Sequence, residues 1–171
     1  LLKISPGKGW AFLHQPDQND LPEQIKIRNA ARGFAESFLA FHLPGCLKAA
    51  NDLIGLGSGL TPSGDDWLTG YILFNVRKSQ AEQQPLANFI ANLGNELILL
   101  AYQKTTWVSA NRMEAALHGW SEGLFLNTID HILSSSIQDV PAHIRALYHY
   151  GHSSGVDTFS GIASAWKALV K

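Results

Sequence analysis

Two short segments carry the residue types from which a polar site can be built. Ser63-Gly64-Asp65-Asp66-Trp67-Leu68-Thr69-Gly70 is echoed by Ser154-Gly155-Val156-Asp157-Thr158-Phe159-Ser160-Gly161. The shared pattern is Ser-Gly-x-Asp-x-apolar-hydroxyl-Gly. Each copy stands where a helix is expected to begin, after a Gly/Ser-rich turn. Asp66 and Gly70, like Asp157 and Gly161, are four residues apart and so share one helix face. Glycine on that face allows a second helix to approach closely. Two such helices can pack together and turn Asp66 and Asp157 into one cleft. The plainer alternative is that first-turn aspartates complement the helix dipole and occupy free backbone N–H groups.

The first copy is preceded by Gly55-Leu56-Gly57-Ser58-Gly59-Leu60-Thr61-Pro62. Amides of such a loop, at a helix N-terminus, suit phosphate or carboxylate. The candidate anion contacts are Gly57, Ser58, Gly59, Thr61, Ser63 and Gly64, with Ser154 and Gly155 from the second copy. The loop lacks the Gly-Lys-Ser/Thr ending of a Walker A sequence. Gly55-x-Gly57-x-Gly59 also has the wrong spacing for a dinucleotide fingerprint. Asp65 and Asp66 repel a bare anion, but Mg²⁺ suits one or two carboxylates plus substrate oxygens. Asp65, Asp66 and Asp157 are therefore the candidate cation ligands. A third segment, Lys104-Thr105-Thr106-Trp107-Val108-Ser109, offers the hydroxyls of Thr105, Thr106 and Ser109 to a polar ligand. Its simpler reading makes Ser109 a helix N-cap, with Arg112 nearby. Among seven histidines, His152 beside Ser153-Ser154 is the candidate acid–base group. A serine–histidine triad is not formed by sequence neighbours. Of the tryptophans, Trp67 is the one expected near the site.

The elements that must position these residues are helices. Ile27, Ala30, Ala31, Phe34, Phe38 and Phe41 recur every three or four residues from Pro22 onward, ending before Pro44-Gly45. Further helices are expected over Cys46 to Leu53, Pro62 to about Lys78 with Thr61 as N-cap, and Pro85 to Lys104. Others follow over Ser109 to Leu117, Ser121 to Leu133, Pro141 to His149 and Gly155 to Val170. No βαβ rhythm is present, so the fold class is mainly α. Residues 1–21 are punctuated by Pro6, Gly7, Gly9 and Pro16. They read as an irregular or β-like segment, with Ile4 and Trp10–Leu13 as short strand pieces. The division expected is a tail or linker over 1–21 and a helical domain over 22–171. The start at Leu1-Leu2-Lys3 suggests a C-terminal fragment of a longer chain.

Composition narrows the classes of function. The chain has 171 residues, 46% hydrophobic and 16% charged, which supplies a core. Thirteen Lys/Arg against 14 Asp/Glu leave a net charge of −1, the wrong balance for a nucleic-acid binder. The lone Cys46 excludes a disulfide framework and a Cys-rich zinc site, and fits a reducing cytoplasm. The apolar runs Tyr71–Phe74 and Leu97–Tyr102 fall short of the roughly 18 residues a membrane span requires.

Three motifs taken in order carry a family resemblance. They are Leu53 through Asp66, then Thr105-Thr106 with Ser109 and Ala116-Leu117-His118-Gly119, then Gly151-His152-Ser153-Ser154-Gly155-Val156-Asp157. In these the chain resembles the AllH family over about Gly45 to Leu169. The resemblance implies one subunit of an oxamate carbamoyltransferase of allantoin and purine catabolism. Such an enzyme converts oxalurate and phosphate to oxamate and carbamoyl phosphate. Partner subunits and a small anionic substrate are implied with it. Carbamoyl transfer needs an anion cradle and a polarised carbonyl more than a covalent nucleophile. Two other readings stand beside it. One is a non-catalytic scaffold whose glycines only serve helix packing. The other is an all-α, Mg²⁺-dependent hydrolase, since the Gly-Asp-Asp and Gly-Val-Asp turns loosely resemble ADP-ribosyl-glycohydrolase sites.

Overall fold

The computed structural model describes residues 8–17, 20–81, 84–134 and 140–169. After a 3₁₀ turn at Gly9–His14 come α1 (Pro22–Leu39), α2 (Leu43–Leu53), α3 (Ser63–Ala81) and α4 (Gln84–Lys104). They are followed by α5 (Trp107–Leu117), α6 (Gly123–Leu133), α7 (Val140–His149) and α8 (Ser154–Leu169). The fold is mainly α, and no strand occurs among the described residues. None of the described helices is long and apolar enough to cross a membrane.

The central element is α3, buried on every side from Gly64 to Val76. Its aromatic residues meet α1: Phe34 packs edge-on against Trp67 at 5.9 Å and Tyr71 at 5.3 Å. The period-3.6 pattern of α1 is kept, with Ile27, Ala31, Phe34 and Phe38 buried. Phe41 lies beyond the helix end and is half exposed. Trp67 belongs wholly to this core, its Nε1 donating to Ser164 Oγ at 3.3 Å, so it does not border the site.

Three local expectations are corrected. Trp10–Leu13 forms the 3₁₀ turn rather than a strand piece. Its carbonyls are fixed by Arg28, which donates to Leu13 O at 3.1 Å and Phe12 O at 3.0 Å. Ile4 lies outside the described residues. Thr61 does not open α3; the Pro62 carbonyl accepts from the Asp66 amide at 3.1 Å, which makes Pro62 the capping position. Helix α5 begins at Trp107, capped by Thr106, whose side chain accepts from the Ser109 amide at 3.1 Å. Ser109 is itself buried.

The two echoed segments open α3 and α8, the pair with the most extensive packing in the fold. Their glycines meet reciprocally. A Cβ on Gly70 would overlap the Thr158 carbonyl oxygen, and one on Gly161 would overlap that of Trp67. These are the same contact, made once in each direction. The first glycines are matched as well. A Cβ on Gly64 would strike the Leu53 carbonyl at the end of α2, and one on Gly155 the Leu147 carbonyl in α7. Thus α2–α3 and α7–α8 are locally equivalent units, related by an approximate two-fold at the crossing. Side-chain-free contact lets the two backbones touch directly and brings both first turns together.

Gly70→Ala and Gly161→Ala are each expected to destabilise the fold by about 2–4 kcal/mol, because the partner backbone has to move. In α1, where a Cβ on Gly33 meets nothing within 4 Å, Gly33→Ala is expected to be neutral or stabilising by up to about 1 kcal/mol. Urea denaturation of the three variants measures the contrast.

Candidate functional site

The crossing of α3 and α8 gathers the polar groups of both first turns. Thr61 Oγ1 and Ser154 Oγ share a hydrogen bond of 2.9 Å, which ties the loop before α3 to the start of α8. Ser154 lies against the Asp66 carboxyl, and Ser63 lies against that of Asp157. The serine of each repeat thus serves the aspartate of the other. Both carboxyls are almost wholly buried.

Each aspartate has one oxygen engaged and one without an aligned hydrogen bond. Asp66 Oδ1 accepts from Arg112 Nη1 at 2.5 Å, whereas Oδ2 has no aligned hydrogen bond, with the Ser154 hydroxyl against the carboxyl. Asp157 Oδ1 accepts from the Trp10 amide at 2.6 Å, and its Oδ2 has no aligned hydrogen bond, with Ser63 and Ser153 against the carboxyl. That amide is presented by Gly9, whose φ of +51° suits glycine and whose missing Cβ leaves room for the Asp157 carboxylate. Arg112 Nη2 also lacks a hydrogen-bond acceptor, lying 3.4 Å from Glu122 Oε1. Glu122 is already held by the Tyr150 hydroxyl at 2.6 Å and the Ser121 hydroxyl at 2.9 Å. Two further buried hydroxyls, on Thr158 and Ser160, are unpartnered. Buried polar atoms are ordinarily hydrogen-bonded, so these five atoms are exceptions to the rule.

Burial dominates the acidities. It pushes the Asp66 carboxyl up to about 6, against the pull of Arg112 and Ser154, and the like charge of Asp157 adds to the rise. Asp157 is raised by the same desolvation, opposed by the Trp10 amide, Ser63, Ser153 and Lys8. Burial also acts on Glu122, but there the Tyr150 hydroxyl and Arg112 outweigh it and the carboxyl is lowered. The Tyr150 phenol is pushed up to about 12 by burial and by Glu122, so it remains a proton donor.

Other candidates are used differently. Asp65 is turned away from its neighbour. Its Oδ1 accepts from the Gly55 amide at 2.8 Å and its Oδ2 from the Thr105 hydroxyl. Thr106 donates to the Leu60 carbonyl at 2.5 Å while capping α5. Thr105, Thr106 and Ser109 therefore fasten the glycine loop and the α5 start to the body of the domain. The Gly64 amide donates to Leu56 O at 2.9 Å, and the Gly155 amide to Tyr150 O at 3.1 Å. Both amides are thus spent inside the fold instead of facing an anion. Gly57, Ser58 and Gly59 lie exposed on the loop, and His152 is exposed on the turn before α8.

No group of three or more His, Cys, Asp or Glu side chains able to hold a metal occurs among the described residues. The guanidinium of Arg112 against Asp66 also opposes a cation at that carboxylate. Arg112 and Glu122 line a recess of about 250 Å³ with Asn111, Ala115, Trp120 and Ser121. A wider groove of about 1000 Å³ runs between α1 and α2 and includes none of the residues of this site.

Sequence reading placed Arg112 only near the motifs. Glu122, Tyr150 and the Trp10 amide were not foreseen. Nothing in their sequence neighbourhoods marks them, because each arrives from a separate element through tertiary packing.

Fold and site define an all-α domain with a buried polar centre at paired helix starts. Residues 53–166 match the family of oxamate carbamoyltransferase subunit AllH, and the chain belongs to that family. No solved structure matches it.

The raised acidity of Asp66 has a signed consequence. Its folded value lies above the ordinary 3.8, so protonation favours the folded state. As pH falls from 7 towards 4, the wild type is expected to gain stability relative to Asp66→Asn, by at most about 3 kcal/mol. The difference between their melting temperatures, measured across that pH range, tests this. His14, held near 4 by burial and by Lys167, is common to both proteins and cancels.

Proposed function

We propose that the chain is a subunit of a carbamoyltransferase of allantoin and purine nitrogen catabolism, interconverting oxalurate plus phosphate and oxamate plus carbamoyl phosphate. Its substrate site is the junction of α3 and α8. One observation carries this reading: Asp66 and Asp157, equivalent by the repeat, are buried together and each keeps one carboxylate oxygen without an aligned partner. Capping alone does not require that arrangement, since a cap spends its oxygens on the helix.

In the reaction a phosphate oxygen attacks the ureido carbonyl of oxalurate and the C–N bond to the oxamate nitrogen breaks. The proton of hydrogen phosphate passes to that nitrogen. No covalent enzyme intermediate is needed. The chain's own contribution is to hold the reacting carbonyl's nitrogen substituents in place and to exclude water. Asp66 and Asp157 orient, Thr61, Ser63 and Ser154 align the carboxylates, and Arg112 offers an N–H of Nη2 to a carboxylate. The exposed glycine loop Gly57–Gly59 leads into the junction. Partner subunits supply the rest of the active enzyme, and the assembly works in the cytoplasm.

The test is carbamoyl transfer by the chain assembled with its partner subunits. Asp66→Asn and Asp157→Asn are expected to leave assembly intact, by size-exclusion chromatography, and to lower kcat by about 100-fold or more. Full activity in both variants would instead make the chain a scaffold whose glycines serve packing.

A further inference from the structure

Helix α5 buries one face, with Ser109, Ala110, Met113 and Ala116, and turns the opposite face outward. Trp107, Asn111 and Ala115 follow one another along that outward face at four-residue spacing. None of the three is charged. The Trp107 side chain is 72% exposed. The helix ends in a Schellman turn. The Gly119 amide donates to Ala116 O at 3.0 Å and the Trp120 amide to Ala115 O at 2.9 Å, which the φ of +76° at Gly119 allows. That turn stands Trp120 beside Ala115, again 72% exposed. The recess of about 250 Å³ lies there, bordered by Trp120 and by Asn111, Arg112 and Ala115 of α5.

A knob and a hole therefore share one face of one helix, at equal distances from Asn111. Trp107 stands four residues before it, and Ala115, which lines the recess, four residues after. A second α5 laid against this face in the opposite direction, about a two-fold axis beside Asn111, meets it large against small at both ends. Trp107 of each copy falls on Ala115 of the other. Such reciprocity is what an isologous contact requires. No charge meets its like at the axis. Asn111 spends one N–H on Trp107 O at 2.9 Å and has a second N–H and its carbonyl oxygen for its counterpart.

Charge and area suit a second copy. Arg112 lines the recess with its charge answered by Asp66 and Glu122, and a guanidinium attracts the face of an indole. Glu114, on the flank of α5, accepts from the Tyr102 hydroxyl at 2.7 Å. Leu60, 70% exposed, is tied next to Trp107 by the bond from Thr106 to its carbonyl. With Val108, Trp107 and Trp120 it presents on the order of 500 Å² of apolar surface. A stable dimer buries about 800 Å² per partner, about 60% of it apolar, which is a matching amount.

We propose that the outward face of α5 joins two copies of this chain, antiparallel about a two-fold axis at Asn111, with Trp107 of each copy seated in the Trp120 recess of the other.

Sedimentation equilibrium of the chain, up to about 100 µM, tests this together with one cross-link. The wild type is expected at twice the 18.7 kDa of the chain. Trp107→Ala is expected to keep its helical circular dichroism and to weaken self-association by about 100-fold or more, since both anchors are lost at once. Asn111→Cys is expected to cross-link to its own counterpart under mild oxidation or with a short bismaleimide. Helices packed at about 8–10 Å between axes bring facing Cα atoms to about 4–6 Å, within disulfide reach. Cys46 is buried and does not compete. In the double variant with Trp107→Ala the cross-link is expected to disappear. A wild type that stays monomeric throughout overturns the proposal, and if Trp107→Ala then also loses the partner subunits, the face belongs to one of them. A dimer indifferent to Trp107→Ala, or one that Asn111→Cys does not cross-link, overturns it as well.

Discussion

The direct contact of backbone with backbone where α3 crosses α8 is the constraint on which the rest of the structure depends. It exists because Gly70 and Gly161 carry no side chain where each meets the other helix's carbonyl group. Any Cβ there would push the helices apart. That would separate Ser154 from Asp66 and Ser63 from Asp157. The site is therefore a by-product of a packing solution: the residues that let the helices touch are four positions along the same face from the carboxylates they bring together. Glycine in a helix interior costs about 1 kcal/mol relative to alanine. Here the cost is offset by close contact along the most buried helix of the fold.

The price of the arrangement falls on the aspartates. Two carboxylates in one water-poor crossing repel each other and lose hydration, and burial raises the acidity constants of both. The fold answers with partners drawn from four different places: Arg112 from α5, the Trp10 amide from the 3₁₀ turn, and one serine from each repeat. The 3₁₀ turn is held in turn by Arg28 from α1, and His14 bonds to the Ser160 carbonyl of α8 at 3.0 Å. The segment ahead of α1 thus belongs structurally to the site, since it carries the amide that steadies Asp157. Compensation stops short of an aligned hydrogen bond to the second oxygen of either carboxylate.

Much of this was legible in the sequence because it is local or repetitive. Apolar spacing gave α1, and Pro and Gly punctuation bounded the other helices to within a few residues. The Ser-Gly-x-Asp-x-apolar-hydroxyl-Gly echo exposed the equivalence of α3 and α8 and the shared face of aspartate and glycine. What the sequence did not disclose is how hydrogen bonds are apportioned. Thr105, Thr106 and Asp65 have the composition of ligand-binding groups, yet they fasten the glycine loop to α5. The Gly64 and Gly155 amides stand at helix starts, the place for an anion, yet nearby carbonyls consume them. Such choices turn on chain geometry of a few ångströms, which residue type does not encode. Glu122 and Tyr150 were invisible for a related reason: they act through Arg112, and only the folded chain brings α5, the start of α6 and the turn before α8 together.

The equivalence of the two repeats also explains why the site is not symmetric. A duplicated helix start by itself would give two identical carboxylates, each suited to the same group. The surroundings break that identity: a guanidinium meets Asp66, and a main-chain amide meets Asp157. The guanidinium brings a full charge and an unspent N–H, whereas the amide brings one hydrogen bond and no net charge. Lys8 also acts on Asp157, whereas Arg112 contacts Asp66 directly. Asymmetry thus enters through the elements around the repeat, while the repeat itself supplies the paired carboxylates.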